Sequence, residues 1–384
     1  MSLFLGVFFL VYGGFHLYAY LRVSAAFHIS KHAGIMLAVF FILMVCAPVL
    51  VRLSEHAGHD TFARGLSYIG YSWMGLIFLF VSSGLLTDIC RFIVYAAGSV
   101  FDLNLSSMSI SKKNAFIIPF VVSLAIFVYG YFEAQDIRVE RIEMHTSKLP
   151  NGTGRLRIVQ ISDMHLGLIV REERLKRILG KVQAAAPDIL VSTGDLVDGQ
   201  INSLEGLAEL FDEIKPKFGK YAVTGNHEFY AGLEQSLDFT RRAGFRVLRQ
   251  ELVNVAEIIH IAGVDDRTGG YYEAGRRISE KVLLSKNAAD KYTLLLKHRP
   301  IVDQEGAGLF DLQLSGHVHK GQIFPFSLLT ALYYQTQSGR TRLKNGSFLY
   351  VSRGTGTWGP PVRFLSPPEV TVIDLVSSPG SAEA

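Results

Sequence analysis

Four long apolar stretches in the first third of the chain constrain its fold more than any other feature. Each has about the 20 mostly apolar residues that a helix needs to cross the ~30 Å hydrocarbon core of a bilayer. The sequence therefore predicts a region of four transmembrane helices within residues 1–135, with a membrane as partner. The stretches are residues 3–21, 34–51, 66–86 and 115–132.

Two parts of this region have alternative interpretations. Residues 88–104 mix charged side chains such as Arg91 and Asp102 with apolar ones, which favours an interfacial helix over a span. The first stretch resembles the core of a cleaved signal peptide, but no positive charge precedes it. An uncleaved anchor is therefore the favoured interpretation.

The basic residues of the loops are divided evenly between the two sides of the membrane, so their number alone gives no orientation. The first span is the exception, because nothing basic precedes it whereas Arg22 and Lys31 follow it. This asymmetry favours an N-terminus outside the cytoplasm. With four spans, the C-terminal part of this multi-pass protein would also lie on the extracytoplasmic face of the cell membrane.

The rest of the chain has the composition of a soluble domain. Charged residues make up 19% of the whole and lie mostly after the last span, whereas both cysteines, Cys46 and Cys90, precede its end. The net charge of +4 is modest, and no basic run is interleaved with aromatic residues. A nucleic-acid partner is therefore not expected, and the oligomeric state stays open.

After residue 136, short apolar runs rich in β-branched residues alternate with amphipathic helical patterns. This alternation predicts an α/β domain, which we place at residues 150–376. The small, Pro- and Gly-containing tail at residues 377–384 is expected to be disordered. The runs are residues 156–161, 189–192, 221–223, 292–296 and 312–314, and the helical patterns are residues 172–185 and 204–214.

Five segments that follow the apolar runs contain residues of metal-ligating types. Because the carboxyl ends of neighbouring strands converge on one crevice, we expect these side chains to meet. Each segment alone is weak evidence, since Asp and His at strand ends are more often turn or surface residues, but five in one chain favour a metal site. Oxygen and imidazole ligands without thiolate suit Mn, Fe, Zn or Mg. The segments are Ser162-Asp163-Met164-His165, Gly194-Asp195-Leu196-Val197-Asp198, Gly225-Asn226-His227-Glu228, Lys297-His298-Arg299-Pro300 and Gly316-His317-Val318-His319.

In this order, the five segments resemble those of the calcineurin-like metallophosphoesterase superfamily, in the branch with an N-terminal membrane segment. The resemblance covers residues 150–376 and implies a two-sheet β-sandwich flanked by helices, with two divalent metal ions. It also implies that Asp195 bridges the two ions. One ion would be held by Asp163, His165, Asp195 and His319, and the other by Asp195, Asn226, His298 and His317.

The chemistry of a two-metal centre agrees with these residue types. Two cations about 3.5–4 Å apart need a shared carboxylate to offset their repulsion, and a water held between them becomes the nucleophile near neutral pH. The resemblance makes His227 the general acid that protonates the leaving oxygen. Asp198 would orient His227, or it is a solvated turn residue. Glu228 either helps to position His227 or begins a helix.

The sequence departs from the family pattern next to the last ligands. The branch usually has Gly-His-Thr-His-Gly-Gly-Gln, whereas Val318 and Lys320 replace Thr and Gly here. Lys320 either contacts a substrate phosphate or points to solvent. Arg353, in a later glycine-rich segment, either binds phosphate or packs as a scaffold residue.

The segment after the last ligands, residues 323–334, is very apolar for a loop beside an active site. It fits either buried core or an apolar lip that dips into the bilayer and guides a lipid-linked substrate. The basic residues just after it, which suit anionic headgroups, are Arg340, Arg342 and Lys344.

These observations predict a hydrolase of phosphomonoesters, phosphodiesters or pyrophosphates that uses a metal-bridging hydroxide. A lipid-linked substrate is the favoured class, with UDP-diacylglucosamine as an example, because similar membrane-tethered relatives include hydrolases of that compound. Two rivals stay open: a membrane-tethered nucleotide or protein phosphatase, and a non-catalytic membrane scaffold that retains the fold. The presence of His227, which metal binding does not require, argues against the scaffold.

Overall fold

The computed structural model describes residues 2–199, 204, 206–269, 278–285 and 290–378, apart from the side chains of residues 2–4 and 106. The chain divides into two compact units. The first unit comprises Met1–Phe132 and Gly359–Phe364, and the second comprises Glu133–Trp358 and Leu365–Ala384. A short segment late in the chain therefore belongs to the N-terminal unit.

Apolar helices build the first unit. Within the described residues, three of them are long and apolar enough to cross a membrane, namely Lys31–His56, Asp60–Phe101 and Asn114–Gln135. A further helix occupies the first predicted span, and its crossing of a membrane stays a prediction. The helices are α1 (Ser2–Ala26), α2 (Lys31–His56), α3 (Asp60–Phe101) and α4 (Asn114–Gln135).

α3 is much longer than the third predicted span. It continues through residues 88–101, so the helix predicted at residues 88–104 is the C-terminal part of α3, and its interfacial position stays a prediction. The charge of Asp88 does not interrupt α3, because Arg22 and the Tyr18 hydroxyl of α1 both contact its carboxylate. The helix ends where Asp102 adopts a left-handed φ of 49°.

The late segment Gly359–Phe364 packs closely against helices of the first unit. The backbone N–H of Arg363 donates to the Gly130 carbonyl at 2.9 Å, and the Arg363 side chain is fully buried. A Cβ on Gly130 would lie 2.6 Å from the Arg363 carbonyl oxygen. Glycine at this position of α4 therefore permits the close approach.

Two sheets build the second unit. Their strands are β1 (Arg138–Thr146), β2 (Arg155–Ile161), β3 (Ile189–Ser192), β4 (Lys220–Ala222), β5 (Phe245–Val247), β6 (Glu251–Val255), β7 (Ile259–Gly263), β8 (Tyr292–Leu296), β9 (Leu312–Ser315), β10 (Gly339–Arg342), β11 (Phe348–Val351) and β12 (Glu369–Ser377).

The described strands form two sheets of six, and both contain a block of parallel strands. The first sheet has the order β1-β12-β2-β3-β4-β5, with β2 to β5 parallel to one another. The second has the order β10-β11-β9-β8-β7-β6, with β7, β8, β9 and β11 parallel. Parallel neighbours align their carboxyl ends at one edge of each sheet.

A shared apolar core joins the two sheets. Ile158 of β2 and Val191 of β3 belong to the same buried cluster as Ile261 of β7, Leu294 of β8 and Leu314 of β9. Every residue of β3 and β8 is buried, as expected for parallel strands that are covered on both faces. The second unit is therefore a β-sandwich.

Helices cover the outer faces of the sandwich. Leu175, Ile178 and Val182 of the helix Glu172–Ala185 are buried in a cluster with residues of the first sheet. Leu283 of the helix Glu280–Leu284 lies in a cluster with residues of the second sheet. The predicted α/β class, a two-sheet sandwich flanked by helices, is confirmed. The helices are α5 (Glu172–Ala185), α6 (Asn226–Ala231), α7 (Leu233–Arg242), α8 (Glu280–Leu284) and α9 (Phe326–Ala331).

Several predicted boundaries agree with the structure, notably residues 172–185, 189–192 and 292–296. The helix predicted at residues 204–214 is wrong in its described part, which contains only a 3-10 helix at Glu209–Glu213. Gly206 has a φ of 78°, which an α-helix cannot continue. β1 pairs with β12 along its whole length, so the sandwich includes strand before residue 150. The predicted tail lies outside the described residues from residue 379 onward.

Candidate metal centre

The carboxyl ends of the parallel strands bring the five ligand-bearing segments together. The Asp163 N–H donates to the Gly194 carbonyl at 3.0 Å, which joins the segments after β2 and β3. The Gly316 N–H donates to the His298 carbonyl at 2.9 Å, which joins the segments after β8 and β9. Side chains from both sheets therefore meet at one edge of the sandwich.

Asp163, His165 and His319 form one group of potential ligands. One ligand atom from each lies within 4.8 Å of the others, and all three residues are buried. The Nε2 atoms of His165 and His319 are 3.1 Å apart, and Asp163 Oδ1 lies 3.4 Å from His319 Nε2. The structure thus brings together three of the four ligands predicted for the first ion, and the fourth, Asp195, lies 3.9 Å from His165 Nε2.

Asp195, His298 and His317 form a second group, also within 4.8 Å. His298 Nε2 lies 3.1 Å from Asp195 Oδ2 and 3.1 Å from His317 Nδ1. Asn226 joins them, since its Oδ1 is 3.3 Å from His298 Nε2. These residues are the ligands predicted for the second ion.

Asp195 connects the two groups. Its Oδ2 atom is 3.1 Å from His298 Nε2 and 3.9 Å from His165 Nε2. The donor set therefore contains two pairs of facing imidazole nitrogens with a carboxylate between them. Nitrogen and oxygen donors in this arrangement fit two divalent cations that share one carboxylate.

The backbone of these segments is strained at the ligands. Residues other than Gly adopt left-handed φ angles infrequently, although Asn and Asp do so more often than the rest, and each such residue costs on the order of 1–3 kcal/mol. Such strain persists where the surrounding structure enforces it, and here it turns the chain sharply just past each strand. The φ angles are 51° for Asp163, 52° for His165, 52° for Asp195, 72° for His317 and 49° for His319.

Two glycines permit the close approach of the loops. A Cβ on Gly225 would lie 2.1 Å from Asp195 Oδ1, and a Cβ on Gly316 would lie 2.1 Å from Asp163 Oδ2. Side chains other than hydrogen would displace both carboxylates. These glycines therefore belong to the site although they carry no ligand.

Hydrogen bonds orient the imidazole rings. His298 Nδ1 lies 2.8 Å from the Thr193 carbonyl. A carbonyl only accepts, so Nδ1 carries the proton and Nε2 is left for a metal. His165 Nδ1 lies 3.2 Å from Asp198 Oδ1, which similarly turns Nε2 toward the first group.

His227 lies beside both groups and contacts Asp198 twice. Its Nδ1 is 2.9 Å from the Asp198 backbone carbonyl and 2.9 Å from Asp198 Oδ1. Because both atoms accept, Nδ1 is the donor and Nε2 is the nitrogen that remains for other contacts. Nε2 or Nδ1 of His227 also lies within 4.8 Å of ligand atoms of His165 and Asp195.

Charge and burial shift the pKa values in this cluster. Burial disfavours the charged form of His227, but the Asp195 and Asp198 carboxylates outweigh burial and raise the pKa of His227 to about 9. Burial also opposes ionisation of Asp198, yet its contacts with His165 and His227 lower the pKa of this carboxyl below its usual value. Asp198 is therefore a half-buried carboxylate paired with two histidines, which favours the orienting role over that of a solvated turn residue.

The buried Glu228 carboxylate links the loop after β3 to the start of α6 through backbone hydrogen bonds. Its carboxylate accepts from the backbone N–H groups of Gly225 at 2.6 Å, Asp195 at 3.0 Å and Leu196 at 2.7 Å. It caps the first turn of α6, in agreement with the predicted role of Glu228 at the start of a helix. It also binds the backbone of the loop after β3. Its position three residues after Gly225 was the signal for the cap.

An ion pair that the sequence did not predict lies beside the second group of potential ligands, next to His298. Arg299 donates from Nε to Asp266 Oδ2 at 2.7 Å and from Nη2 to Asp266 Oδ1 at 3.2 Å. The Tyr334 ring lies against His317, with centroids 5.6 Å apart. The position of Arg299 next to His298 was the visible signal, but Asp266 is too distant in sequence to be identified as its partner.

Two exposed aromatic side chains flank His227. The ring centroids of Tyr230 and Trp358 lie 5.5 Å and 6.0 Å from that of His227. Gln322 fixes the Trp358 backbone by donating to its carbonyl and accepting from its N–H, both at 2.9 Å. Sequence reasoning missed these residues.

Lys320 and Arg353 have different surroundings. Lys320 directly follows the ligand His319, is half-buried, and has a left-handed φ of 50°. Arg353 contacts the carboxylates of Glu140 and Glu369 and donates to the Pro367 carbonyl at 3.0 Å. These contacts favour the scaffold alternative for Arg353, and a substrate role of either residue stays a prediction.

Comparison with known proteins agrees with this geometry. Residues 156–321 match the family model described as calcineurin-like phosphoesterase. A protein of Aquifex aeolicus (strain VF5), named as an uncharacterized metallophosphoesterase, is 43% identical over 66% of this chain and 97% of its own length. A Danio rerio protein, named transmembrane protein with metallophosphoesterase domain, is 30% identical over 82% of this chain and 75% of its own length.

Among solved structures, the 5'-nucleotidase precursor of Thermus thermophilus aligns with 58% of this chain and 54% of its own, at 17% identity and a TM-score of 0.32. The family assignment therefore comes from the sequence comparisons and from the cluster of His and Asp ligands. The chain belongs to the calcineurin-like metallophosphoesterase family, whose members are hydrolases that use divalent metal ions.

Proposed function

We propose that the chain hydrolyses a phosphomonoester, phosphodiester or pyrophosphate bond with two divalent cations and with His227 as general acid. The convergence of the predicted ligands on Asp195 carries this proposal, because one carboxylate oxygen faces histidines of both groups. A scaffold that only kept the fold would not require His227 and Asp198 to remain in contact beside the ligands.

Each proposed cation has four ligands. Two bound cations would supply positive charge to the phosphoryl oxygens and would lower the pKa of a water nucleophile. Asp163, His165, Asp195 and His319 would hold one cation, and Asp195, Asn226, His298 and His317 the other.

His227 donates a proton to the leaving oxygen as the P–O bond breaks. Asp198 holds Nδ1–H of His227, so Nε2 is the nitrogen that delivers the proton. Asp198 therefore acts as a positioning residue for His227 and also for His165. The leaving group would lie near Tyr230 and Trp358, whose rings flank His227.

The substrate we favour is lipid-linked. Two observations support this class: the chain carries helices long and apolar enough to cross a membrane, and exposed apolar side chains follow the last ligand. A pyrophosphate that joins a nucleoside to a lipid, as in UDP-diacylglucosamine, would also explain exposed aromatic rings beside His227. On the asymmetry of the first span, we place the catalytic unit on the extracytoplasmic face of the cell membrane.

The full-length chain in detergent, supplied with Mn²⁺, tests the proposed chemistry. Turnover of bis-p-nitrophenyl phosphate and p-nitrophenyl phosphate would be measured for the wild type and for Asp195→Asn. We expect turnover by the wild type and a loss of at least roughly 100-fold in the variant, because one shared carboxylate charge is removed. The relative rates on the two compounds rank diester against monoester.

Metal analysis separates catalysis from simple metal binding. A wild-type chain that binds two metal ions per chain but turns over neither compound would favour the non-catalytic scaffold. Turnover that persists in Asp195→Asn would place the reaction at a different site.

A further inference from the structure

The segment that follows the last metal ligands has an unusual surface. α9 contains no buried residue, and the apolar side chains on and around it are among the most exposed of the described chain. Soluble surfaces rarely gather so many apolar side chains in one place unless they bind something. The exposed fractions are 39% for Phe324, 42% for Phe326, 60% for Leu328, 59% for Leu329, 85% for Leu332 and 70% for Tyr333.

This apolar segment, residues 324–333, is held firmly at both ends. At its start, Ser327 approaches Gly321 so closely that a Cβ on Gly321 would lie 2.4 Å from the Ser327 nitrogen. At its end, the Thr330 hydroxyl bonds to Gln337 Oε1 at 2.6 Å, and Gln337 Nε2 donates to the Tyr334 carbonyl. The apolar side chains are therefore presented by an ordered turn of helix.

The segment lies next to the metal centre. It begins five residues after the ligand His319, and Tyr334, which follows it directly, packs its ring against the ligand His317. The exposed side chains thus lie in the part of the chain that directly follows the ligands. The exposure of its side chains contradicts the buried-core interpretation of the segment.

The stretch of sequence that contains the segment carries only basic charges. No Asp or Glu occurs between Asp311 and Glu369. Three basic residues follow the segment, and all three are exposed: Arg340, Arg342 and Lys344. Glu140 and Glu143 of β1 line a surface depression together with Arg340, so acidic groups lie beside one of the three basic residues. An apolar segment followed by exposed basic side chains is still complementary to an anionic bilayer, where lipid tails take the apolar groups and headgroups take the basic ones.

We propose that residues 324–333 insert into the interfacial layer of an anionic bilayer, with Arg340, Arg342 and Lys344 against its headgroups. A bilayer is the occupant we choose because the chain has its own membrane helices, which keep lipid at high effective concentration. The metal centre would then receive a phosphoester directly from the bilayer surface, a consequence that rests on the proposed function.

Spin labels in the full-length chain test this insertion. Leu332→Cys would be labelled in a Cys46→Ala, Cys90→Ala background and reconstituted in nanodiscs that contain phosphatidylglycerol. Val282→Cys serves as the matched control, because Val282 is an exposed apolar residue of α8, outside the segment. We expect the ratio of oxygen to nickel-complex accessibility to be several-fold higher at position 332 than at position 282.

Equal ratios at the two positions would overturn the proposal. A label at position 332 that is shielded from both oxygen and nickel would also overturn it, since it would indicate contact with a second protein copy. Replacing Arg340, Arg342 and Lys344 by Gln should lower the ratio at position 332. Turnover of bis-p-nitrophenyl phosphate, measured in parallel, reports on the proposed reaction separately from the insertion.

Discussion

At the scale of single residues, the identity of the ligands was predictable but their backbone geometry was not. Asp163, His165 and Asp195 follow apolar runs at positions that the sequence makes visible. Their left-handed φ angles leave no trace in the sequence, because turns usually take this conformation with Gly or Asn. The metal centre thus combines predictable residue types with a conformation that only the surrounding loops enforce.

Replacing His227 by Gln should slow the reaction in a way that depends on the leaving group. An alkoxide needs a proton to leave, so we expect glycerol 1-phosphate turnover to fall about 100- to 1000-fold, within the range of general acid catalysis. A p-nitrophenolate leaves readily without a proton, so p-nitrophenyl phosphate turnover should fall much less. Steady-state kcat values on the two esters are the measurement.

His145→Gln is the matched control for His227→Gln, since His145 is an exposed histidine of β1. It should leave both rates unchanged. An equal fall of both rates in His227→Gln, with two metal ions still bound, would contradict a role of His227 as proton donor.

At the scale of elements, strands and amphipathic helices were predictable because their signal is local. The apolar runs at β3 and β8 and the periodicity of α5 gave the bounds that the structure has. α3 was not predictable, because the charge of Asp88 is matched by Arg22, a residue of a different helix. The length of a helix is therefore not predictable from local sequence where a residue of another element neutralises one of its charges, as Arg22 does for Asp88.

The ion pair between β2 and β12 gives a prediction at this scale. Arg157 donates to both carboxylate oxygens of Asp374, at 2.7 Å and 3.0 Å, and these bonds lower the pKa of Asp374. A lowered folded pKa adds stability above the unfolded value of about 3.9, and this stability is lost as the pH falls through the folded value. Asp374→Asn should therefore lower the free energy of unfolding by about 1–3 kcal/mol at neutral pH, and progressively less below about pH 4.

Thermal unfolding of the second unit, followed by infrared absorption of its sheets at several pH values, measures this effect. Asp238→Asn is the control, since Asp238 forms an exposed pair with Arg242 that should contribute less than about 1 kcal/mol. If the difference in unfolding free energy between wild type and Asp374→Asn stays constant down to low pH, the ionised Asp374 carboxylate is not its cause.

At the scale of the whole molecule, metal binding should stabilise one unit and not the other. The predicted ligands all belong to the second unit, and a ligand present at about 100 times its dissociation constant adds roughly 2.7 kcal/mol to the unfolding free energy of the part that binds it. Chelation should lower the unfolding temperature of the sheets by several degrees, and added Mn²⁺ should restore it. The unfolding temperature of the helices of the first unit should change with neither chelator nor Mn²⁺.

Asp195→Asn provides the internal control for chelation. Because it weakens both proposed metal positions, its sheets should unfold at a temperature that chelator changes little. Equal destabilisation of wild type and variant by chelator would show that the metal acts elsewhere.

The membership of Gly359–Phe364 in the first unit has a consequence for how such a protein can be assembled or divided. One cut near residue 135 would leave this hexapeptide, with its buried Val362 and Arg363, on the catalytic fragment without the helices that cover it. Exchanging residues 1–135 between two such proteins would likewise transfer the helices of the first unit without their own Gly359–Phe364 segment. The two halves are therefore not interchangeable modules, and a designer who wishes to separate them must replace this hexapeptide as well.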